Sequence, residues 1–159
     1  MHSSFAMTTL SFFSTTVPAP QPLPLFINPP RLYDPRPNGY SHVAVATSPA
    51  RFIYVAGQGG EDASGALSPD FGAQVDQALC NLRTALEAAG AGPLDVVRLV
   101  VLVVDHSEAR LAVLGRALAA AWGGEPPPAC TLIPVPRLAL DGMLFEIEAT
   151  AVRALTRGA

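Results

Sequence analysis

Two glutamates near the end of the chain are the first candidates for chemistry. In the predicted strand of residues 143–152, alternation places Glu146 and Glu148 on one face and the apolar Phe145 and Ile147 on the other. A carboxylate that is partly buried in a cleft has a raised pKa and can serve as a general acid or base. The alternative is a solvated polar strand face, which the pattern alone favours because most charged side chains are exposed. Both interpretations stay open at this point.

The other reactive residues give no support to metal or cofactor chemistry. The histidines His2, His42 and His106 are scattered, and no CxxC or HExxH spacing forms a zinc or iron set. The chain has no lysine and no GxGxxG after a strand, which removes Schiff-base and P-loop chemistry. We therefore expect neither a metal ion nor a cofactor. His42, close to Tyr40, either lines a pocket or has a structural role, and the sequence favours the structural role.

The composition indicates one small, acidic domain. The chain has 159 residues, half of them hydrophobic, and its ten basic residues, all arginine, against 13 acidic ones give a net charge of −3. An acidic chain without basic clusters is a poor partner for nucleic acid or an anionic membrane. No stretch approaches the roughly 20 apolar residues of a membrane span. Two cysteines make no disulfide scaffold, so we expect a cytoplasmic protein.

The first thirty residues differ from the rest of the chain. They contain no Asp, Glu, Lys or Arg and are rich in Ser, Thr and Pro. A secretory signal needs a basic start and a continuous apolar run, and this segment has neither. We predict a flexible extension over residues 1–27 and a single domain over residues 28–159.

Hydrophobic periodicity predicts the order β-β-α-β-α-β-β, with an extra short strand near the N-terminus or before the first helix. A hairpin around residues 48–50 joins the first two of these strands. Ser68 is the predicted N-cap of the first helix, and Asp105 with Glu108 forms the predicted capping box of the second. The predicted strands are residues 42–47, 52–56, 95–104, 130–135 and 143–152.

The central strand predicts self-association. Two helices cover only one face of such a sheet, and a face that water covers alternates apolar and polar residues. Residues 99–104 read LVVLVV and are apolar on both faces. The face without helices therefore needs another cover, and a second copy of the chain is the simplest one. We expect a homo-oligomer whose subunit number the pattern does not fix.

Most of the chain resembles a known family through a series of short motifs. No single motif is specific for a family, but the order of all the motifs across residues 28–155 is specific. On these motifs the chain resembles the RidA (YjgF-type) family, the reactive enamine/imine deaminases. The motifs are PNGYSH at 37–42, IYVAGQ at 53–58, Gln74, Gln77, Ala78, Asn81 and Leu82 on the first helix, DVV at 95–97, PACT at 128–131, VPRL at 135–138 and FEIEA at 145–149.

The resemblance implies an α+β, chorismate-mutase-like fold: a single sheet with two helices packed on one face, assembled as a homotrimer with a pocket in each cleft between subunits. Family members of the deaminating type hydrolyse 2-imino or 2-enamino acids to 2-oxo acids and ammonia without a metal or cofactor. Carried onto this sequence, the glutamate that handles the water is Glu146. The implied substrate-binding residues are Tyr40, Gly57 and Thr131. The implied partners are a small enamine or imine and further copies of the chain.

The chain departs from the family pattern at the substrate-binding arginine. Cys130 stands at that position, and Ala56 replaces the serine before the glycine. A guanidinium binds a carboxylate through two charge-assisted hydrogen bonds that cysteine cannot form, so affinity should fall at least about tenfold. Arg137 is too far along an extended chain to substitute. Cys130 is an inert packed residue, a reactive catalytic thiolate with His42 as its base, or a small residue that makes room for another ligand.

Two functions from different classes follow. The first is an enzyme that hydrolyses a small enamine or imine, with Glu146 and Cys130 as its candidate catalytic residues; the lost arginine argues against a generic 2-imino acid. The second is a non-catalytic trimer that binds a small ligand as a sensor or scavenger. Ribonuclease or translation-inhibitor activity has also been attached to the family, and the acidic, lysine-free composition argues against it.

Overall fold

The computed structural model describes residues 24–155. The elements are the strands β1 (Leu25–Ile27), β2 (Val43–Val45) and β3 (Ala50–Gly59), the helix α1 (Phe71–Ala88), the strand β4 (Val96–Val104), the helix α2 (Glu108–Trp122) and the strands β5 (Ala129–Val135) and β6 (Phe145–Ala154). A four-stranded mixed sheet has the order β3-β6-β4-β5, in which β4 and β5 run parallel and the other pairs antiparallel. A separate ribbon pairs β1 with β2.

Both helices pack on one face of the four-stranded sheet. The β6 residues that face the helices include Phe145, Ile147 and Ala151, all without exposed surface. Leu86 of α1 and Leu118 of α2 fill the same core. Removal of this apolar surface from water is the main stabilising term of such a fold. The predicted α+β architecture, with two helices on one face of a sheet, is confirmed.

The predicted hairpin around residues 48–50 is wrong. β2 pairs with β1, where Phe26 lies opposite Ala44, and β3 pairs with β6 instead. The physical reason is length, because β2 has three residues, whereas β3 and β6 have ten each and form more interstrand hydrogen bonds. The turn residues between β2 and β3 predict a local hairpin, but they carry no information about β6, a distant strand that pairs with β3 instead.

Both helices begin later than the sequence predicts. The cap of α1 is Asp70, whose carboxylate accepts a hydrogen bond from the backbone N–H of Ala73 at 2.8 Å. The Ser68 hydroxyl instead accepts a hydrogen bond from the backbone N–H of Asp70 at 3.2 Å, in the turn before the helix. The cap of α2 is Ser107, because Asp105 has a left-handed backbone with φ of 47° and lies outside the helix. In each case several polar residues compete to cap the helix, and the backbone path decides among them.

The predicted extension overlaps the fold at residues 25–27. These residues form β1, the extra short strand that the sequence predicts near the N-terminus. Residues 1–23 lie outside the described residues, and so does the rest of that prediction.

The sheet face away from the helices, called the open face below, carries an apolar surface. Phe52 and Tyr54 of β3 alternate with the core residues Ile53 and Val55, so they point to the open face, where they are 51 % and 78 % exposed. Ile133 of β5 is also exposed there. Such a surface is what the predicted self-association requires, and the homotrimer itself stays a prediction.

Candidate functional site

Glu146 lies against the backbone of Gly57 on the open face. The pairing of β3 with β6 shifts its register between Val55 and Gln58, and this bulge brings Gly57 beside the carboxylate. A Cβ added to Gly57 would overlap Glu146 Oε1 and lie 2.7 Å from its Cδ. Only glycine leaves the carboxylate this space. The structure thus brings together two residues that the sequence predicted for one site.

The Glu146 carboxylate is free for chemistry. Glu146 is half-buried, with Leu102 of β4 opposite it, whereas Glu148 on the same face is exposed. Among residues 24–155, no arginine or histidine forms an ion pair with Glu146. A carboxylate in a partly apolar setting with no cation beside it keeps its lone pairs for a water or substrate proton.

A buried amide on α1 holds the start of β6. The Gln74 side chain is fully buried, and its Nε2 donates to the carbonyl oxygens of Ser68 at 2.6 Å and Gly142 at 2.8 Å. Its Oε1 accepts from the backbone N–H of Leu144 at 2.8 Å. Leu144 lies two residues before Glu146, so α1 fixes the strand that carries the carboxylate.

A second amide on α1 holds the end of β3, next to the bulge. Asn81 Nδ2 donates to the carbonyl oxygens of Gly59 at 3.0 Å and Glu61 at 2.8 Å, and Gln77 Nε2 donates to Asn81 Oδ1 at 2.9 Å. The sequence indicated no positioning role for these amides. A pattern in the sequence could have revealed these amides. Gln74, Gln77 and Asn81 are three and four residues apart, so they share one side of a helix that is otherwise apolar on that side.

Tyr40 lies beside the start of β5. The next residue, Ser41, forms a parallel bridge with Ala129, the first residue of β5. The Tyr40 ring packs edge-on against His42, with ring centroids 5.6 Å apart, and its hydroxyl contacts that of Tyr33. The structure therefore places Tyr40 next to the segment in which the resemblance puts substrate binding.

Cys130 and Thr131 point to opposite faces of the sheet. Cys130 lies opposite Leu99 and packs against the core, whereas Thr131 lies opposite Val100 and is exposed on the open face. Burial raises the pKa of the Cys130 thiol to about 12, so the thiol is protonated at neutral pH. A reactive thiolate needs a lowered pKa, and its burial favours the interpretation of Cys130 as a packed strand residue. Its catalytic role stays a prediction.

The predicted site residues form two groups within one chain. The glutamate half-site contains Gly57 and Glu146, and the tyrosine half-site contains Tyr40 and Thr131. Glu146 pairs with Leu102, which pairs with Ile133, two residues beyond Thr131. Across two strand spacings and two residues, the Cα atoms of Glu146 and Thr131 are about 12 Å apart. The fold of a single chain does not bring the two half-sites into contact.

Neither a metal site nor a membrane-spanning helix is found in the described part of the chain. In residues 24–155, no group of three or more His, Cys, Asp or Glu side chains could hold a metal ion. No helix in the same range is long and apolar enough to cross a bilayer.

The fold and the site together define a class. A mixed sheet with two helices packed on one face makes the chain a two-layer α+β protein. A family model described as endoribonuclease L-PSP, the family of the YjgF and RidA proteins, matches residues 34–153. The chain belongs to this family, which confirms the family that its motifs indicated.

Solved structures support the same assignment. The chain is 43 % identical to a protein of unknown function of the Rid family, YyfB from Yersinia pestis, with a TM-score of 0.77 over 80 % of this chain and 97 % of that one. RidA from an Antarctic Psychrobacter is 31 % identical, with a TM-score of 0.58 over 70 % and 86 %. The YjgF gene product of E. coli is 30 % identical, with a TM-score of 0.58 over 65 % and 81 %. No protein with a curated description matches the chain.

Proposed function

We propose that the chain is a Rid-family hydrolase that converts a small enamine or imine into a carbonyl compound and ammonia. Glu146 is its catalytic residue, and Gly57 shapes the pocket around the reacting atoms. The observation that carries the proposal is the position of the Glu146 carboxylate against the Gly57 backbone, from which a Cβ at position 57 would displace it. A half-buried carboxylate with an open approach is suited to remove a proton from water.

The proposed reaction is a hydrolysis without change of oxidation state. The Glu146 carboxylate accepts a proton from a water molecule while the water oxygen bonds to the carbon of the protonated imine, and a neutral carbinolamine forms. The carboxyl group then returns that proton to the nitrogen. As the C–N bond breaks and ammonia leaves, the hydroxyl proton of the carbinolamine passes to the Glu146 carboxylate and the carbonyl group forms. One water is consumed for each carbonyl formed. An enamine enters the same route after it takes up a proton on carbon.

We further propose that the working site lies between subunits of a homotrimer. Within one chain the Cα atoms of Glu146 and Thr131 are about 12 Å apart, and no described hydrogen bond or ion pair joins the two half-sites. A neighbouring copy that packs on the open face would cover Phe52 and Tyr54 and set its own tyrosine half-site against the glutamate half-site. The substrate then occupies the cleft, with the carboxylate on one wall and the tyrosine on the other.

The substrate class follows from the arginines that remain. Cys130 supplies no positive charge, and Arg137 is already paired with Asp141 at 3.1 Å. Arg98 lies opposite Ala129 on the open face, is exposed, and forms no ion pair with any described residue. A substrate carboxylate must therefore use Arg98 or bind without a guanidinium. We propose a small enamine or imine, which among the 2-imino acids includes only those that bind without the family arginine.

A trapping assay tests the proposal. An amino-acid oxidase generates a panel of 2-imino acids, and semicarbazide traps the imine that remains, so faster hydrolysis appears as less semicarbazone. We expect the wild-type protein to lower the semicarbazone yield from at least one imine and Glu146→Ala to have no effect. Thr131→Arg, which puts a guanidinium on the open face beside the tyrosine half-site, should widen the set of 2-imino acids that are hydrolysed. An active Glu146→Ala variant would contradict the proposed mechanism.

The second candidate function is ligand binding without turnover, and the cysteine at position 130 favours it. A wild-type protein that is inert in the trapping assay, together with an active Thr131→Arg variant, would indicate an intact scaffold whose specificity has moved away from 2-imino acids. Saturable binding of an imine analogue that survives Glu146→Ala would then support this second function.

The family description names an endoribonuclease, and the charge of this chain argues against that activity. A net charge of −3 without any lysine offers little attraction for the phosphate backbone. We expect no binding of single-stranded RNA at physiological ionic strength in a filter-binding measurement. Strong binding under those conditions would overturn this exclusion.

A further inference from the structure

The glycines at the end of β3 leave space for a second carboxylate besides that of Glu146. The side chain of Glu61, which follows the strand, lies against Gly59. A Cβ added to Gly59 would overlap Glu61 Oε2 and lie 2.9 Å from its Cδ, so it would displace this carboxylate. The same relation holds between Glu146 and Gly57, two residues earlier on the strand. Each carboxylate therefore occupies the space of a missing side chain.

The two carboxylates lie on the same face of the sheet. Gly59 pairs with Glu146, and paired residues of neighbouring strands project to the same side, which here is the open face. Gly57 shares that face, because residues two apart on a strand do, and the Cα atoms of Gly57 and Gly59 are about 7 Å apart. Two O–H···O hydrogen bonds of about 2.7 Å each nearly cover this separation, so one or two water molecules connect the carboxylates.

The backbone of Glu61 is fixed, and its carboxylate is free. The carbonyl oxygen of Glu61 accepts a hydrogen bond from Asn81 Nδ2 at 2.8 Å, and the residue forms an antiparallel bridge with Leu67. The Glu61 side chain is half-buried, and none of the ion pairs within residues 24–155 includes it. A carboxylate held in this way by its backbone keeps its lone pairs for a proton that arrives through water.

The proposed reaction needs a group that takes a proton from Glu146. It ends with the hydroxyl proton of the carbinolamine on the Glu146 carboxylate, and Glu146 cannot accept a proton from the next water until this proton has left. A neighbouring subunit that covers the open face would also limit the access of bulk water to Glu146. A second carboxylate is a suitable acceptor, because transfer between two groups of the same chemical type costs little free energy.

We propose that Glu61 is the proton-relay residue of the hydrolytic site, an inference that rests on the proposed function. The proton passes from the Glu146 carboxyl group through the connecting water to the Glu61 carboxylate, and Glu61 then gives it to a base in the solvent. Only O–H bonds form and break in these steps, and both glutamates end the cycle as carboxylates. Glu61 acts after the C–N bond has broken, so it contributes to kcat and not to substrate binding.

Rescue by a small base in solution tests the relay. Imidazole can take the proton from Glu146 directly when Glu61 is replaced, so kcat and KM are measured in the trapping assay at low and high imidazole concentration, at constant pH and ionic strength. We expect Glu61→Gln to lower kcat at least about fivefold at low imidazole, with KM unchanged, and high imidazole to restore most of the loss. Glu148→Gln, which changes an exposed carboxylate on the same face, should match the wild type under both conditions.

The outcomes separate this inference from the function on which it rests. A wild-type kcat in Glu61→Gln at low imidazole, a loss that imidazole does not restore, or an effect on KM alone would overturn the relay and leave the assignment of Glu146 intact. An inert wild-type protein or an active Glu146→Gln variant would overturn the proposed function and the relay together. Urea unfolding shows whether Glu61→Gln is folded. If it is not, the same rescue measured on Glu61→Asp, whose carboxylate is one methylene further from Gly59, decides.

Discussion

Glu146 depends on the missing side chain of Gly57 for its position. In Gly57→Ala the added methyl group would overlap the Glu146 carboxylate, which must swing away from the bulge. We expect imine hydrolysis to fall at least about tenfold with little change in the free energy of unfolding, because the displaced carboxylate is the far end of a flexible side chain. Steady-state rates in the trapping assay and urea unfolding check both effects.

Gly92→Ala is the matched control for that substitution. A Cβ at Gly92 meets no atom within 4 Å, and its φ of −144° suits any residue. Rate and stability should both stay close to the wild-type values. A Gly57→Ala variant that is as active as Gly92→Ala would contradict the placement of Glu146 in the reaction.

Cys130 makes the stability of the chain depend on pH in the alkaline range. Its pKa is about 12 in the folded chain, against an ordinary value of 9.0, because burial disfavours the thiolate. Between these values the unfolded chain loses the proton and the folded chain keeps it, so the free energy of unfolding falls as pH rises. At pH 10 the loss is about 1 kcal/mol. Urea unfolding of wild type and Cys130→Ala at pH 8 and pH 10 measures it.

Cys130→Ala removes this contribution, so the wild-type protein should lose more stability than the variant between the two pH values. An equal loss in both proteins would show that the Cys130 thiol ionises as readily in the folded chain as in the unfolded one. That result would reopen the role of Cys130 as a reactive thiolate.

The sequence predicted which residue types form the site better than it predicted where they point. Alternation on the last strand placed Glu146 on the open face correctly, and the family motifs paired it with Gly57. The direction of Cys130 follows from the register of β5 against β4, in which Cys130 lies opposite Leu99. A register between strands that are far apart in the chain is a tertiary property, and no local pattern carries it.

At the scale of elements, α1 positions both strands of the glutamate half-site. Gln74→Leu leaves the carbonyl groups of Ser68 and Gly142 and the N–H of Leu144 without their partner. We expect a loss of about 3 kcal/mol in the free energy of unfolding and a fall in kcat of about tenfold, with a smaller change in KM. Rates and urea unfolding are measured at a temperature at which the variant is fully folded.

Leu82→Ala separates positioning from stability in this experiment. Leu82 is buried in the same helix, and its truncation should cost a similar amount, about 2–5 kcal/mol. Its side chain belongs to the apolar core and contributes no hydrogen bond to β6, so kcat should stay near the wild-type value. If both variants lose kcat equally, Gln74 acts only through stability.

The sequence predicted the existence and type of the main elements because their periodicities are long and regular. It missed the pairing of β3 with β6 and the caps of α1 and α2, for different reasons. Strand pairing depends on competition between distant partners, and the ten-residue β6 offers β3 more hydrogen bonds than β2 does. A cap depends on the backbone path at the start of the helix. Asp70 caps α1 in place of Ser68, and Ser107 caps α2 in place of Asp105, although Ser and Asp are both good N-cap residues.

At the scale of the whole molecule, the open face bears on the state of assembly. A surface that exposes Phe52 and Tyr54 needs a cover, so we expect self-association, and the proposed site between subunits predicts a trimer in sedimentation equilibrium. Tyr54→Glu puts a charge into the proposed interface and should shift the protein towards monomer. Leu94→Glu replaces a residue of similar exposure outside the sheet, 59 % against 78 %, and should leave the mass unchanged. A monomeric wild-type protein would contradict the site between subunits.

The central claim is that one specific carboxylate of the open face handles water. Glu146→Gln and Glu148→Gln are isosteric changes on the same strand and the same face, two residues apart. We predict that Glu146→Gln lowers the rate constant of imine hydrolysis by about 100-fold or more, the effect of losing a general base, and that Glu148→Gln keeps the wild-type rate. Equal rates in the two variants, measured side by side in the trapping assay, would contradict the assignment of Glu146 and with it the proposed mechanism.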